Sequence, residues 1–171
     1  MTSAELEAEL EALHSRSFGW ALSCCRWDES QAEDVLQTTY VKVLSGSASF
    51  GGRSAFSTWL FGVIRRTAQE MERSARSQHK KALKFAAVGG LPDAEPAVAE
   101  RQIVRSEESR RLRGALEHLP DRQREVLFLV FYQDLSVAQS AEVMDISVGS
   151  ARTHYDRGKK RLRALLAEEK S

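Results

Sequence analysis

The stretch Leu135–Leu162 reads LSVAQSAEVMDISVGSARTHYDRGKKRL, and its residue types suit binding to a polyanion rather than bond-breaking. Ser136 with Gln139 three residues on forms a capping box that opens a short helix. Met144-Asp145-Ile146 is a tight turn, and Ser147 caps a second helix carrying Arg152, Arg157, Lys159, Lys160, Arg161 and Arg163. A short capped helix, a turn and a longer basic helix spell a helix-turn-helix, whose second helix lies in the major groove with its N-terminal half toward base edges. The small residues Gly149, Ser150 and Ala151 let the first turn of that helix approach DNA closely. On spacing alone, an ordinary helical hairpin with a solvated basic face stays open beside this reading.

The rest of the chain must position that pair of helices. At 171 residues it can hold one medium domain or two small ones. Apolar residues make up 42% and charged residues 29%, the balance of a soluble globular protein. The formal net charge of +1 hides an uneven distribution. Glu5, Glu7, Glu9 and Glu11 make the start acidic, whereas Arg65–Lys84 and Arg152–Arg163 are basic, which predicts two contacts with a polyanion. The two cysteines, Cys24 and Cys25, are adjacent and lack any metal-ligand spacing, so they read as small hydrophobes in a reducing cytosol. No metal or cofactor site is expected. An acidic N-terminus and the lack of a long apolar run argue against a signal peptide and a membrane span, and point to the cytoplasm.

In order, residues 4–26 carry a helical stripe of Leu6, Leu10, Leu13, Ala21, Leu22 and Cys25. After a break at Trp27-Asp28-Glu29, Ser30 and Glu33 form a capping box for a helix to about Leu44. Its buried side is expected from Val35, Leu36, Tyr40, Val43 and Leu44, and its outer face from Glu33, Asp34, Gln37, Thr38 and Lys42. A glycine- and serine-rich loop, residues 45–53, holds Phe50 and Arg53, and Phe50 is balanced between a binding role and a place in the local core. Ser54 is expected to cap a long helix with Phe56, Trp59, Leu60, Val63, Ile64, Thr67 and Met71 inward. Residues 85–96 lose the helical stripe and read as a flexible linker between domains 1–84 and 97–171. In the second domain a charged helix runs to Leu119, Asp121 caps the next, and Val126–Tyr132 forms an apolar centre. No strand signal appears, so the expected fold class is all-α, with two small helical domains.

This order of parts resembles the extracytoplasmic-function group of bacterial sigma factors, the minimal type with only regions two and four. The resemblance covers almost the whole chain. It rests on Ala32-Glu33-Asp34-Val35-Leu36-Gln37 and Ser57-Thr58-Trp59-Leu60-Phe61, then Leu119–Leu127, Leu135-Ser136 and Ile146–Ser150. The resemblance implies a transcription initiation factor without catalytic residues. Region two would bind the β′ clamp helices of core RNA polymerase and the −10 element, and region four the β flap and the −35 element. By that resemblance Glu33, Asp34, Gln37 and Thr38 face the polymerase. Phe50, Arg53, Ser54, Arg65 and Arg66 fall where the −10 strand is held, and Ser150, Arg152, Thr153, Asp156, Arg157 and Lys159 where the −35 element is read. Asp156 can accept from a cytosine amino group or pair with Lys160.

The sequence also departs from the family pattern. Arg66 replaces a usual Asn, Val130 and His154 stand where an Arg is common, and Gln31 and Thr38 where acids are frequent. A phosphate on Thr38 or Thr39 would add about −1.5 to −2 charges to the lighter polymerase-facing helix. Partners implied are therefore core polymerase and promoter DNA, with an anti-sigma factor or a Ser/Thr kinase as regulator. Two rivals compete with this reading. One is a helix-turn-helix regulator that never binds core polymerase; the other is a nucleic-acid enzyme, which lacks clustered carboxylates or a phosphate loop.

Overall fold

The computed structural model describes residues 1–86 and 107–170, and among these every regular element is an α-helix. The order is α1 (Ser3–Ala12), α2 (His14–Cys24), α3 (Glu29–Leu44), α4 (Phe56–Ala86), α5 (Glu107–Glu117), α6 (Asp121–Phe131), α7 (Val137–Met144) and α8 (Val148–Glu168). The linker expected over 85–96 begins inside α4, whose last residues are 85 and 86. Its remainder, and the start of the second domain near Ala97, lie outside the described residues.

Local chemistry explains the boundaries. Thr2 and Glu5 form a reciprocal capping box at α1. The single helix expected over 4–26 is two, because Leu13 leaves the helical region at φ −95° and ψ 0°. α2 ends when Arg26 and Trp27 turn left-handed and the Trp27 amide donates back to the Leu22 carbonyl at 2.8 Å, a Schellman closure without glycine. Such backbone is unfavourable for residues with a Cβ and persists only where surrounding contacts hold it. Here Trp27 packs edge-on against Phe128 with centroids 5.8 Å apart, and the Arg113 guanidinium lies 4.8 Å from the Trp27 ring.

Three expected caps differ. Asp28, not Ser30, caps α3 by accepting from the Gln31 amide at 3.0 Å. α4 starts at Phe56, with the Trp59 amide donating to the Ala55 carbonyl, while the Ser54 hydroxyl donates to the Ala55 carbonyl instead of capping. Asp121 is the first residue of α6 rather than its cap, and its carboxylate accepts from Arg124 at 3.0 Å and Arg26 at 3.3 Å. The two caps of the helix-turn-helix hold as expected: Ser136 with Gln139, and Ser147 accepting from the Ser150 amide at 3.0 Å. Between them Asp145 supplies the left-handed turn residue at φ 54°.

Packing decides what the sequence left open. A small core of Leu116, Leu119 and Leu127 joins α5, α6 and α8. Gly158 of α8 crosses α6 so closely that a Cβ would meet Leu127 Cδ1 at 3.1 Å. The larger core does not stop at the domain boundary. Leu10, Trp20, Val35, Leu60, Phe61 and Ile64 from the first half share it with Val126, Phe128, Leu129, Val143 and Met144 from the second. Trp20 is fully buried, donates its indole N–H to the Phe61 carbonyl at 2.9 Å and stacks on Phe128 with centroids 5.9 Å apart.

Two polar clasps cross the same seam. Arg65 donates from Nε and Nη2 to the two carboxylate oxygens of Glu125 at 3.0 and 3.2 Å, and from Nη1 to the Met144 carbonyl at 3.0 Å. Arg16 donates to the Gln133 side chain and backbone, and the Gln133 amide donates back to the Arg16 carbonyl at 3.1 Å. The two halves therefore close on each other as one packed body.

Candidate functional site

The expected functional residues fall on three surfaces. On α3, Asp34, Gln37 and Thr38 stand on one side at helical spacing; Glu33, Asp34 and Gln37 are exposed and Thr38 is half-buried. The pattern of buried positions, Ala32, Val35, Leu36, Thr39 and Val43, forces that face outward. Leu44, expected inward, is 50% exposed, and Val41 is 66% exposed at the C-terminal end of the Asp34–Gln37–Thr38 side. The acidic face thus continues into an apolar residue, which counting carboxylates alone missed; an exposed Val about two turns past Glu33 and Asp34 was the available signal. Thr39 is fully buried and its hydroxyl donates to the Val35 carbonyl at 2.8 Å. It does not present a modifiable group, so of the two threonines only Thr38 reaches the surface.

The second surface is the loop between α3 and α4. Phe50 leans on Phe56 and Trp59, with ring centroids 5.3 and 5.4 Å apart, and the trio closes through Phe56–Trp59 at 5.4 Å. Phe50 and Trp59 are each half-buried, so the cluster is both local core and a partly open aromatic shelf. Arg53 is exposed beside it, Ser54 is half-buried and Arg66 is exposed about three turns into α4. Arg65 is not with them. It retains 8% exposure and is spent on Glu125 and Met144, so in this arrangement it offers nothing to a nucleic-acid strand. The sequence could not show this, because its partner lies 60 residues away in the other half.

The third surface is α8. Ala151 and Gly158 are buried against the body, and Arg152, Thr153, Asp156 and Arg157 point outward. Ser150 is exposed, but its hydroxyl accepts from the capping Ser147 at 2.9 Å. Thr153 donates to the Gly149 carbonyl at 3.1 Å, which leaves its lone pairs and methyl free. Lys159 lies over the Tyr155 ring at 4.4 Å. Among the described residues Asp156 forms no ion pair with Lys160, so its carboxylate is open. Val148, 39% exposed in the first turn of α8, is an apolar contact the sequence reading did not single out.

Between the halves a cleft of about 1120 Å³ runs along α4 and the start of α6, with Cys24, Asp34, Arg76 and Arg124 among its walls. Burial first, then the nearby Glu125 carboxylate, pushes the Cys24 thiol well above its ordinary value, and burial pushes Cys25 up to about 11. Both cysteines are free. Among the described residues no cluster of His, Cys, Asp and Glu could hold a metal ion, and no helix is long and apolar enough to cross a membrane.

Comparison with known proteins identifies the family. Residues 10–78 match the sigma-70 region 2 family and residues 109–162 match sigma-70, region 4. The ECF RNA polymerase sigma factor SigX of Bacillus subtilis is 31% identical over 151 residues, covering 83% of this chain and 75% of that protein. The RNA polymerase sigma factor YlaC of the same organism is 30% identical over 139 residues, covering 81% and 79%. Among solved structures, the sigma factor RpoE in complex with the anti-sigma factor NepR from Bartonella quintana shares the fold with a TM-score of 0.71 at 22% identity, covering 95% of this chain and 97% of its own. CnrH, solved with the cytosolic domain of CnrY, has a TM-score of 0.64 at 21% identity, covering 97% and 95%. The two matched regions, in order and over most of the chain, place it in the extracytoplasmic-function group of RNA polymerase sigma factors.

Proposed function

We propose that this chain is an alternative sigma factor that directs core RNA polymerase to a promoter through the three surfaces described above, and that it does so only after its halves separate. The observation that carries the reading is the presence in one chain of an outward acidic-apolar α3 face and an exposed, capped α8. Glu33, Asp34, Gln37, Thr38 and Val41 form the polymerase-facing surface, with the carboxylates suited to a basic helical partner and Val41 to its apolar side. The Phe50–Phe56–Trp59 shelf, with Arg53, Ser54 and Arg66, suits an unstacked base and its phosphates. Arg152, Thr153, Asp156 and Arg157 suit base edges, Val148 a thymine methyl group, and Lys159 a phosphate.

Geometry argues for the separation. The −35 and −10 elements lie about 25 base pairs apart, or about 85 Å of duplex at about 3.4 Å per step. A compact chain of this length has a radius of gyration of about 15–16 Å. One closed body cannot touch both elements. About 20 residues lie between α4 and α5, and at full stretch that length reaches about 70 Å, enough to let each half find its own element. Opening also frees Arg65 from Glu125 for the −10 strand.

Thr38 is the hydroxyl through which a kinase could strengthen the polymerase face, since a phosphate would supply negative charge beside Asp34 and Gln37. A regulator that binds both halves at once, as an anti-sigma factor would, has the interdomain cleft to enter.

Run-off transcription with purified core polymerase and the promoter upstream of its own gene tests the function, with wild type, Thr38→Glu and Thr38→Ala compared. Promoter-directed transcripts support it, and a rise with Thr38→Glu but not Thr38→Ala supports control through that hydroxyl. Failure of every form to associate with core polymerase would leave a DNA-binding regulator as the better description.

A further inference from the structure

The cleft between the halves holds a cluster of cations that neither polar clasp uses. At the head of α6, one carboxylate oxygen of Asp121 accepts from Arg124 at 3.0 Å and from Arg26 at 3.3 Å. Arg122 stands beside them, exposed, and among the described residues it forms no ion pair. Three guanidiniums against one carboxylate leave a local surplus of two positive charges. All four residues line the cleft.

Two sets of donors are unspent there. Arg124 is 6% exposed, and its buried Nε–H meets no acceptor among the described residues. A buried charged donor without a partner is costly, and a polar ligand is one of the few things that account for it. α6 also begins without a side-chain cap, since Pro120 offers none. Its first amides therefore lack an intrahelical partner and bring the positive end of the helix dipole to the same place. Guanidiniums around an uncapped helix start suit a phosphate.

The other walls say what that phosphate is attached to. Arg65 and Arg76 are neutralised by Glu125 and Glu72. Val35, Ala68, Met71 and Ala75 supply an apolar strip suited to the face of a ring. On α3, Asp34 and Gln31 line the same space and offer acceptors for the amino and imino N–H groups of a base. Small-ligand sites enclose about 300–1,000 Å³, so a cleft of about 1120 Å³ has room for base, sugar and phosphates together.

We propose that the interdomain cleft binds a nucleoside polyphosphate, with its phosphates at the head of α6 among Arg26, Arg122 and Arg124 and its base toward α3. Because the walls come from both halves, the ligand binds the closed form and holds it shut. The consequence for transcription rests on the sigma-factor reading above. At a ligand concentration about 100 times its dissociation constant, the closed form gains about 100-fold over the open one, and apparent affinity for core polymerase falls by about the same factor.

Calorimetric titration of the full chain with ATP, GTP, their nucleosides and inorganic phosphate tests the site. At least one nucleotide should bind, with its nucleoside and inorganic phosphate each about tenfold weaker or more. Arg122→Gln, at an exposed position, should weaken the nucleotide about tenfold or more. Arg124→Lys keeps a charge for Asp121 but loses the Nε–H, and should do the same. Pull-down with core polymerase then compares wild type and Arg122→Gln at rising nucleotide concentration. Wild type should be released and the variant retained, which sets aside any nucleotide held by the polymerase itself. No nucleotide binding at millimolar concentration, unchanged affinity in either variant, or inorganic phosphate bound as tightly as the nucleotide would overturn the proposal. So would undiminished capture of wild type at saturating nucleotide. Displacement of the nucleotide by duplex DNA in the absence of polymerase would assign the head of α6 to the promoter and overturn it as well. If wild type binds nucleotide but never core polymerase, the sigma-factor reading fails and the site stands.

Discussion

Glu125→Gln removes one partner of a buried cross-domain ion pair while keeping the side-chain volume. In the closed form the Arg65 and Glu125 side chains are 10% and 11% exposed, joined by two hydrogen bonds. Removing one member of such a pair costs about 3–5 kcal/mol, because the remaining charge stays desolvated. The pair joins α4 to α6, so that cost acts on the seam and leaves the hydrogen bonds within each helix untouched. At about 1.4 kcal/mol per tenfold, the open population should rise by about 10²–10³ or more. Trp20 against Phe128 and the shared apolar core still oppose opening, so the variant remains mostly closed.

Cys24 lines the cleft beside α6, is half-buried, and has its thiol pushed up by burial and by Glu125, so losing that carboxylate raises its reactivity without opening; the rate is therefore compared per thiolate, from its pH profile. When alkylation is slow relative to reclosing, the part of the per-thiolate rate above the closed-form background follows the open population. A Cys25→Ser background isolates the signal. The expected result is a rise in the per-thiolate Cys24 alkylation rate and a lower thermal midpoint, with helical circular dichroism unchanged. The apolar double variant Arg65→Met/Glu125→Met should lie much nearer wild type. If Glu125→Gln leaves the alkylation rate and the thermal midpoint where they were, the ion pair does not hold the halves together. Loss of helical signal in step with alkylation would equally refute a seam that opens on its own.

Other outcomes follow from single contacts. Gly158→Ala should lower stability by about 1 kcal/mol, since overpacking of about 1–3 kcal/mol against Leu127 and Gln123 outweighs about 1 kcal/mol of helix propensity; urea unfolding checks it. Gly62→Ala should do the reverse and raise the thermal midpoint, because its Cβ would meet Val143 only at ordinary contact distances near 3.9 Å. Val41→Lys should weaken core polymerase binding, by losing the apolar contact and opposing the acidic face, while leaving the unfolding free energy within about 0.5 kcal/mol, as expected for a site 66% exposed; pull-down and urea melts separate the two. Cys25 has its folded value raised from 9.0 to about 11, so the stability it links is present below pH 9 and is lost as pH rises through about 11. Denaturation from pH 8 to 11.5 should show that decline in wild type, and a smaller one in Cys25→Ser.

The helix-turn-helix was legible because its information is local. Ser136 with Gln139, the left-handed Asp145 and the capping Ser147 settle α7, the turn and the start of α8 within a dozen residues. The outer faces of α3 and α8 were legible for the same reason, since apolar spacing within one helix fixes which side is free. The expected caps at Ser30, Ser54 and Asp121 show the limit of that reasoning: Asp28 caps α3 two residues earlier, and α4 and α6 begin after Ala55 and Pro120, which offer no capping side chain, so the path of the chain into each helix decides where it starts.

What only the tertiary structure decided is the seam. Nothing near Arg65 in the chain says that its guanidinium meets Glu125 rather than DNA, and nothing near Phe128 says that it stacks on Trp20. Each half reads as a small bundle with an apolar face left over, and composition cannot tell whether that face awaits another protein or its own other half. Contacts between residues 60 or more apart depend on how two surfaces match in shape and charge, and that match is a property of the folded bodies rather than of any stretch of sequence.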